Sequence, residues 1–590
     1  MKTLNVRIIL PIAALLLMAG TIPARAQAPL EATQMSPRTL FYVIWRGVPG
    51  ADARKANSLL ALWDDADFAP VRSAMAAGLL NSATEKSGEK SAQTKLTPEQ
   101  VQELAGLLEN SFTMGYVSEP VRRNLSNGAV SADSRLPAWN GMFFVYDRAG
   151  KELLLAKTML RLRAADKEAP TLSQVTIGGA QVLKSEGKGG VSYWADHGKY
   201  AIATGEPTVM EELLGRLDKK ASGTATLAQS AAYQEAQSNL GGGLLEFFLR
   251  VPDIKELAAD SKAGMFQTSP LLQAARIDAV HSIGGRVTFE GARTHVQAAV
   301  LGDAVEGTPF DIWSAGKSTP VSLALVPADA VFYNSTQFNF SGIYATVKRV
   351  AKAAFPQAQQ GNVDMFEAIG QQKLGRPPAE AIALLTGEVA TLQTSPMMDT
   401  AKQVYFFGIR KKAEALKLIR TIAGEQLGSE RNEGDVTFLK LSMGGKQGTA
   451  GSAQWNFFHL AVTPDMIIAA SRSETLKEVL ATRANGTADG GIATVPQFKA
   501  NRAKYPENLN SLSYLDFQKI DWQGMKDRWI EEAKKSPTAK AVSFEKDGGP
   551  STAADWLSLM KPQVFARHLH FSSSVSWKDA KGIHWDQWVE

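Results

Sequence analysis

From Pro37 onward the chain alternates short apolar runs rich in aromatics with polar-apolar stretches of helical period, and this succession occurs twice. "LFYVIW" (Leu40 to Trp45), led in by Pro37, and "AVFYNST" (Ala330 to Thr336), led in by Pro327, both predict opening strands. In the first, Phe41, Val43 and Trp45 alternate with Tyr42 and Ile44, so both sides are apolar, the pattern of a strand covered on two faces. "TPEQVQELAGLL" (Thr97 to Leu108) puts Val101, Leu104, Ala105 and Leu108 on one helical face, and its counterpart is "PPAEAIALLTG" (Pro377 to Gly387). "MFFVYDRAGKELLLAKTMLRL" and "VYFFGIRKKAEALKLIRTIAG" each predict a strand, a basic turn and an amphipathic helix.

Further on, "QVTIGGAQVLKS" and "VSYWAD" flank a Gly-rich turn, as do "DVTFLKLSM" and "WNFFHLAV", so each pair predicts a hairpin. "YAIATGEPTVMEELLGRL" (Tyr200 to Leu217) lies beside "MIIAASRSETLKEVLATR" (Met466 to Arg483) without a gap, a buried strand running into a helix in both. Polar segments with one aromatic follow, "LAQSAAYQEA" and "TVPQFKANRA", then the strands "GLLEFFLRVPDI" and "NSLSYLDFQKI". Alternating hairpins over His281 to Val300 and Leu569 to Val589 close both series. Elements recurring in one order predict an internal duplication. The fold class expected is α+β: two related halves, each an antiparallel sheet with helices on one face, an elaborated split β-α-β or ferredoxin-like unit. The halves span 37–302 and 321–590, joined by a Gly/Ser/Thr/Pro-rich linker at 303–320. A ligand cleft is expected where they meet.

The first 26 residues change the picture from fold to destination. Lys2 and Arg7 precede an apolar stretch from Ile8 to Ala19, and small residues end in Ala24-Arg25-Ala26, the pattern of a secretory signal peptide cleaved after Ala26 or, at a second site, after Ala28. Twelve apolar residues fall short of the roughly 20 that span a bilayer. The expected location is the periplasm or the extracellular space, with no transmembrane helix after signal removal. The chain has no cysteine, which excludes lipid attachment through cysteine, disulfides and thiol catalysis. Net charge is +5, and removing Lys2, Arg7 and Arg25 leaves 5 − 3 = +2, with acids and bases interspersed. Nothing resembles a phosphate-backbone stripe, so nucleic acid is not an expected partner.

Several strings resemble chemical motifs and lack what the chemistry requires. "AGKST" (Ala315 to Thr319) ends like a phosphate-binding loop, but Asp311 stands where its first glycine belongs and Pro320 where its helix would start. "NGTADGG" (Asn485 to Gly491) alternates oxygen donors like a calcium loop, with Pro496 in place of the closing glutamate. His568 and His570 fall two apart in a predicted strand, with His584 on the hairpin partner, and are the metal candidates. Trp577, Trp585 and Trp588 offer stacking surfaces but are expected to fill core. "WDDADF" (Trp63 to Phe68) groups three carboxylates on one short stretch, expected as a helix-starting acidic turn. No catalytic residue and no cofactor are expected.

"LTGEVA" (Leu385 to Ala390), ahead of "VYFFGIRKKAEALKLI" and "MIIAASRSETLKEVL", resembles a family of large exported bacterial proteins known only as domains of unknown function. The first half departs from it, with "LAGLLENSFT" in place of "LTGEVA". The resemblance implies no activity. The function expected is a non-enzymatic binding or scaffolding protein with an envelope ligand or protein as partner. The alternatives are an envelope-directed hydrolase and a carrier of an apolar ligand.

Overall fold

The computed structural model describes residues 28–69, 71, 110–117, 141–148, 171–187, 190–218, 224–251, 273–314, 319–354, 361–398, 402–442, 457–484, 491–535 and 553–590. The predicted signal segment, the helix expected over Thr97 to Leu108, the helix expected after "MFFVYD", most of "AGKST" and all but the last residue of "NGTADGG" lie outside them. The strands are β1 Thr39–Arg46, β2 Ser111–Val117, β3 Met142–Asp147, β4 Thr171–Ile177, β5 Ala180–Gly187, β6 Gly190–His197, β7 Tyr200–Thr204, β8 Leu245–Arg250, β9 Val280–Glu290 and β10 Arg293–Gly302. They continue as β11 Phe332–Gln337, β12 Leu385–Gln393, β13 Gln403–Ile409, β14 Leu427–Glu433, β15 Val436–Ser442, β16 Phe457–Val462, β17 Met466–Ala470, β18 Ser511–Asp516, β19 Phe571–Asp579 and β20 Gly582–Val589.

All twenty belong to one antiparallel sheet. From one edge inward the order is β4-β5-β6-β7-β3-β2-β1-β8-β9-β10. From the other edge inward it is β14-β15-β16-β17-β13-β12-β11-β18-β19-β20. β10 and β20 pair with each other from Thr294↔Val589 to Leu301↔Gly582, making the two sets continuous. The two sets therefore meet edge to edge through the backbone hydrogen bonds of β10 and β20. Among the described residues, no helix is long and apolar enough to cross a membrane.

β1 is the inner strand its composition predicts, flanked by β2 and β8. Tyr42 and Ile44 enter one core with Phe143, Val145 and Phe248, while Trp45 enters another, on the alternate side, with Phe112, Tyr146 and Leu245. β11 sits between β12 and β18, with Tyr333 fully buried. Helix Pro207–Leu217 lays Val209, Met210, Leu213 and Leu214 on the core of β3, β5, β6 and β7. Helix Ser473–Ala484 does the same with Leu476 and Val479 against Phe406, Ala461 and Ile468.

Helices are not confined to one face. Helix Lys412–Ala423 packs Ala415 and Leu416 against Leu439, Leu460, Val462 and Ala469. Leu460 and Ala469 alternate along β16 and β17 with Ala461 and Ile468, which face helix Ser473–Ala484. Strands apolar at successive positions need cover on both sides, because side chains on a strand point alternately to opposite faces.

Gly387 marks a place where the backbone dictates the residue. β12 starts at Leu385, two residues before this glycine, and its pairing with β13 slips between Leu385 and Val389. Gly387 has φ +104°, and a Cβ there would stand 2.3 Å from the Phe338 carbonyl oxygen. The next residue, Glu388, is 2% exposed and accepts hydrogen bonds from the amides of Val321 (2.9 Å) and Ser322 (2.8 Å). The glycine and glutamate of "LTGEVA" therefore do structural work, tying the chain that enters β11 to β12.

Candidate functional site

The histidines singled out as metal candidates do not come together as a site. His568 ends helix Gln563–His568, so it and His570 are not alternate residues of a strand; β19 begins only at Phe571. The reason is packing: Val564 and Phe565 of that helix join Leu62, Trp63 and Phe68 in an apolar cluster that also takes in Trp522. His568 Nε2 lies 2.8 Å from Asp65 Oδ2. His570 is exposed, and His584 is buried under Trp577, ring centroids 5.1 Å apart. His584 Nε2 comes within 3.1 Å of Asp579 Oδ2 without hydrogen-bond alignment. Among the described residues, no three His, Cys, Asp or Glu side chains converge to hold a metal ion.

The carboxylates of "WDDADF" act as a clamp between the two ends of the chain. Arg54, 1% exposed, holds Asp64 through Nε at 2.6 Å. Asp65 accepts the Asp67 amide at the start of a short 3-10 turn, and meets Arg567 at 2.6 Å as well as His568. Lys561 reaches Asp67 at 2.6 Å. Burial pushes the Asp65 carboxyl up, but His568, the Asp67 amide and Arg567 together hold it below the usual carboxylate range.

Where β10 meets β20, His295 Nε2 lies 2.8 Å from Asp586 Oδ1 and its ring stacks on Trp588, centroids 3.6 Å apart. Arg293 pairs with Glu590 at 2.8 Å. Trp577 packs against the second core, as expected. Trp585 does not: it is 39% exposed, because its cross-strand neighbours Ala298 and Ser576 are too small to cover the ring. A second buried polar group lies under β1. Glu246, 1% exposed, accepts from the Tyr42 hydroxyl and from the Gly241 amide (2.9 Å), with Arg46 at 3.6 Å. Burial, and then the Glu246 charge, push the Tyr42 hydroxyl far above its ordinary value. These groups satisfy one another, the usual condition for polar atoms inside a core.

An open arrangement of a different kind lies at the β14 edge. A groove of about 230 Å³ runs between β14, β15 and β16 and the first turn of helix Ser473–Ala484. Arg431, Lys440, His459 and Lys477 line it, with Phe438 and Leu476 among its apolar residues. Register explains the grouping: Ser429 pairs with Lys440 and Lys440 with His459, so consecutive strands bring them side by side on the face that the helix covers. No local motif announces this cluster, since its members come from four elements. Setting the two series of segments side by side carries the one available signal: Tyr193 and Glu211 in the first become His459 and Lys477 in the second.

No family model, no curated protein and no solved structure matches this chain.

Proposed function

We propose that this chain is an exported, non-enzymatic binding or scaffolding protein of the cell envelope, built from two copies of one ferredoxin-like α+β unit. The resemblance to exported proteins of unknown function belongs to the same proposal. The observation that supports the two-copy reading is the strand order, which runs through the same ten positions from either edge to the β10–β20 pair. Reaching that order twice by independent routes requires the same succession of crossovers twice, which duplication supplies in one step. A role in binding rather than catalysis is supported by the engagement of the buried acids: Glu246 with Tyr42, Glu388 with two backbone amides, Asp586 with His295.

Export is supported by the signal pattern, and the core favours one of its two cleavage sites. Ala28 and Leu30 are 1% and 0% exposed within the first core, so cleavage after Ala26 retains both, whereas cleavage after Ala28 removes a core residue. Two measurements on the natively expressed chain test the proposal. N-terminal sequencing of the protein from an osmotic-shock fraction should begin at Gln27; a cytoplasmic chain keeping Met1 overturns export. A panel of esterase, glycosidase, peptidase and phosphatase substrates should show no turnover; activity that one substitution abolishes overturns the non-enzymatic reading.

A further inference from the structure

The β14-edge groove carries a charge pattern that the fold does not need. Arg431 and Lys477 are exposed, and Lys440 and His459 are half-buried, so none fills core. The other end of the sheet provides an internal comparison. Ser173 pairs with Lys184 and Lys184 with Tyr193, the register that Ser429, Lys440 and His459 follow. Val175, two residues beyond Ser173, occupies the position of Arg431, two beyond Ser429. Glu211 follows the buried Met210 as Lys477 follows the buried Leu476. There Lys184 pairs with Glu186 at 2.7 Å, and Val175, Tyr193 and Glu211 stand where the β14 edge has Arg431, His459 and Lys477.

Glu433 and Glu474 stand beside residues that line the groove. Glu433 meets Arg431 at 3.0 Å, both side chains more than half exposed, a contact too well solvated to hold the guanidinium against a stronger partner. Glu474 is occupied at the helix end: it accepts its own backbone amide and, at 2.8 Å, the Ser473 hydroxyl, which hold its carboxyl below the usual range. The guanidinium of Arg431 also lies over the Phe438 ring, 5.1 Å from its centroid, which orients the fork over an apolar floor.

We propose that this groove binds a phosphate ester, the oxyanion among Arg431, Lys440, His459 and Lys477 and the organic part on Phe438 and Leu476. Phosphate fits because its several oxygens accept charge-assisted hydrogen bonds from several directions, and a guanidinium engages two at once. Burial, then the Lys440 charge, lower the His459 imidazole from its ordinary value, with Glu474 acting in the opposite sense. The ring is therefore neutral at pH 7 with one N–H to donate, and a dianion beside it favours its protonated form.

The proposal gives the binding-protein reading a ligand class and fails separately from it, because export and absence of turnover are measured without phosphate. The test uses the mature full-length chain and three probes: phenyl phosphate, inorganic phosphate and vesicles containing phosphatidylglycerol. Calorimetry should show saturable binding of phenyl phosphate, weaker binding of inorganic phosphate and a fall in affinity with salt. The double variant Arg431→Ala/Lys477→Glu should lose at least tenfold in affinity at an unchanged melting temperature; should it not fold, Lys477→Glu alone, at an exposed position, serves. NMR should move the His459 ring titration to higher pH when phenyl phosphate is added. Vesicle binding that the same variant abolishes would support the site and assign its phosphate to a lipid headgroup. No saturable binding of any probe, or an affinity that survives in the folded variant, overturns the proposal.

Discussion

His295 on β10 and Asp586 on β20, separated by 291 residues of chain, meet at 2.8 Å and hold the two central strands together by their side chains as well as their backbones. The Asp586 side chain is 16% exposed and that of His295 10%, so water cannot readily replace either partner. Asp586→Ala leaves the imidazole buried without its acceptor, and urea denaturation should show a loss of about 1–3 kcal/mol. Asp586→Asn keeps an acceptor and should lose less.

Acid should loosen the clamp formed by Asp65, Arg567 and His568. The folded pKa of Asp65 lies below its unfolded value of about 3.9, so the carboxylate's contribution is complete above that value and disappears as pH falls through the folded pKa. Amide protection factors in 58–68, taken against the intrinsic exchange rate at each pH, should therefore hold at neutral pH and fall below about pH 4. Arg567→Ala should produce the lower protection already at pH 7.

The two tryptophans near the end of β20 should respond oppositely to change. Trp585 is exposed, and Trp585→Ser should alter stability by no more than about 0.5 kcal/mol. Trp588 lies under the His295 ring and within 5.2 Å of Lys504, and Trp588→Ala should cost about 1–3 kcal/mol. Thermal denaturation of the two variants gives the comparison.

Gly387→Ala should be among the most damaging single-methyl changes in the chain. The added carbon meets a backbone oxygen at 2.3 Å, and the positive φ disfavours any side chain. A loss of about 1–3 kcal/mol is expected from the strained backbone alone. Glu388→Ala should instead free the amides of Val321 and Ser322, which limited proteolysis would detect as new cleavage near them.

Strand sequence was the readable part of this molecule. β1, β8, β9, β10 and their later counterparts announce themselves by alternation, because each lies between two neighbours and buries at least one face. β14, "LGSERNE", carries almost no apolar signal, because it is an edge strand whose residues are mostly exposed. Helices Pro207–Leu217, Lys412–Ala423 and Ser473–Ala484 were readable from period, but the face each covers was not, and helices Phe340–Ala354, Gly361–Leu374 and Trp522–Lys535 were not foreseen. "KAEALKLIRTIA" has the same kind of apolar stripe as "PTVMEELLGRL", and only the strands' double-sided composition decides which layer receives it. His568 was misplaced because "RHLHFSSSV" alternates like a strand, whereas contacts with Trp63 and Phe68, some 500 residues away, keep its first residues helical. The basic groove was hidden for a related reason: Arg431, Lys440, His459 and Lys477 become neighbours only after four elements take their places.

The pairing of β10 with β20 also sets an order of assembly. β10 can find β9 as soon as the first 302 residues have emerged, but its other edge must wait for β20, which begins at Gly582. Until then it presents unpaired amides and carbonyls to any strand nearby, in a chain whose contacts already span long sequence separations and are slow to form. Hairpin β19–β20 seals the middle of the molecule, so the interval in which neighbouring chains can pair with one another ends only when that hairpin takes its place.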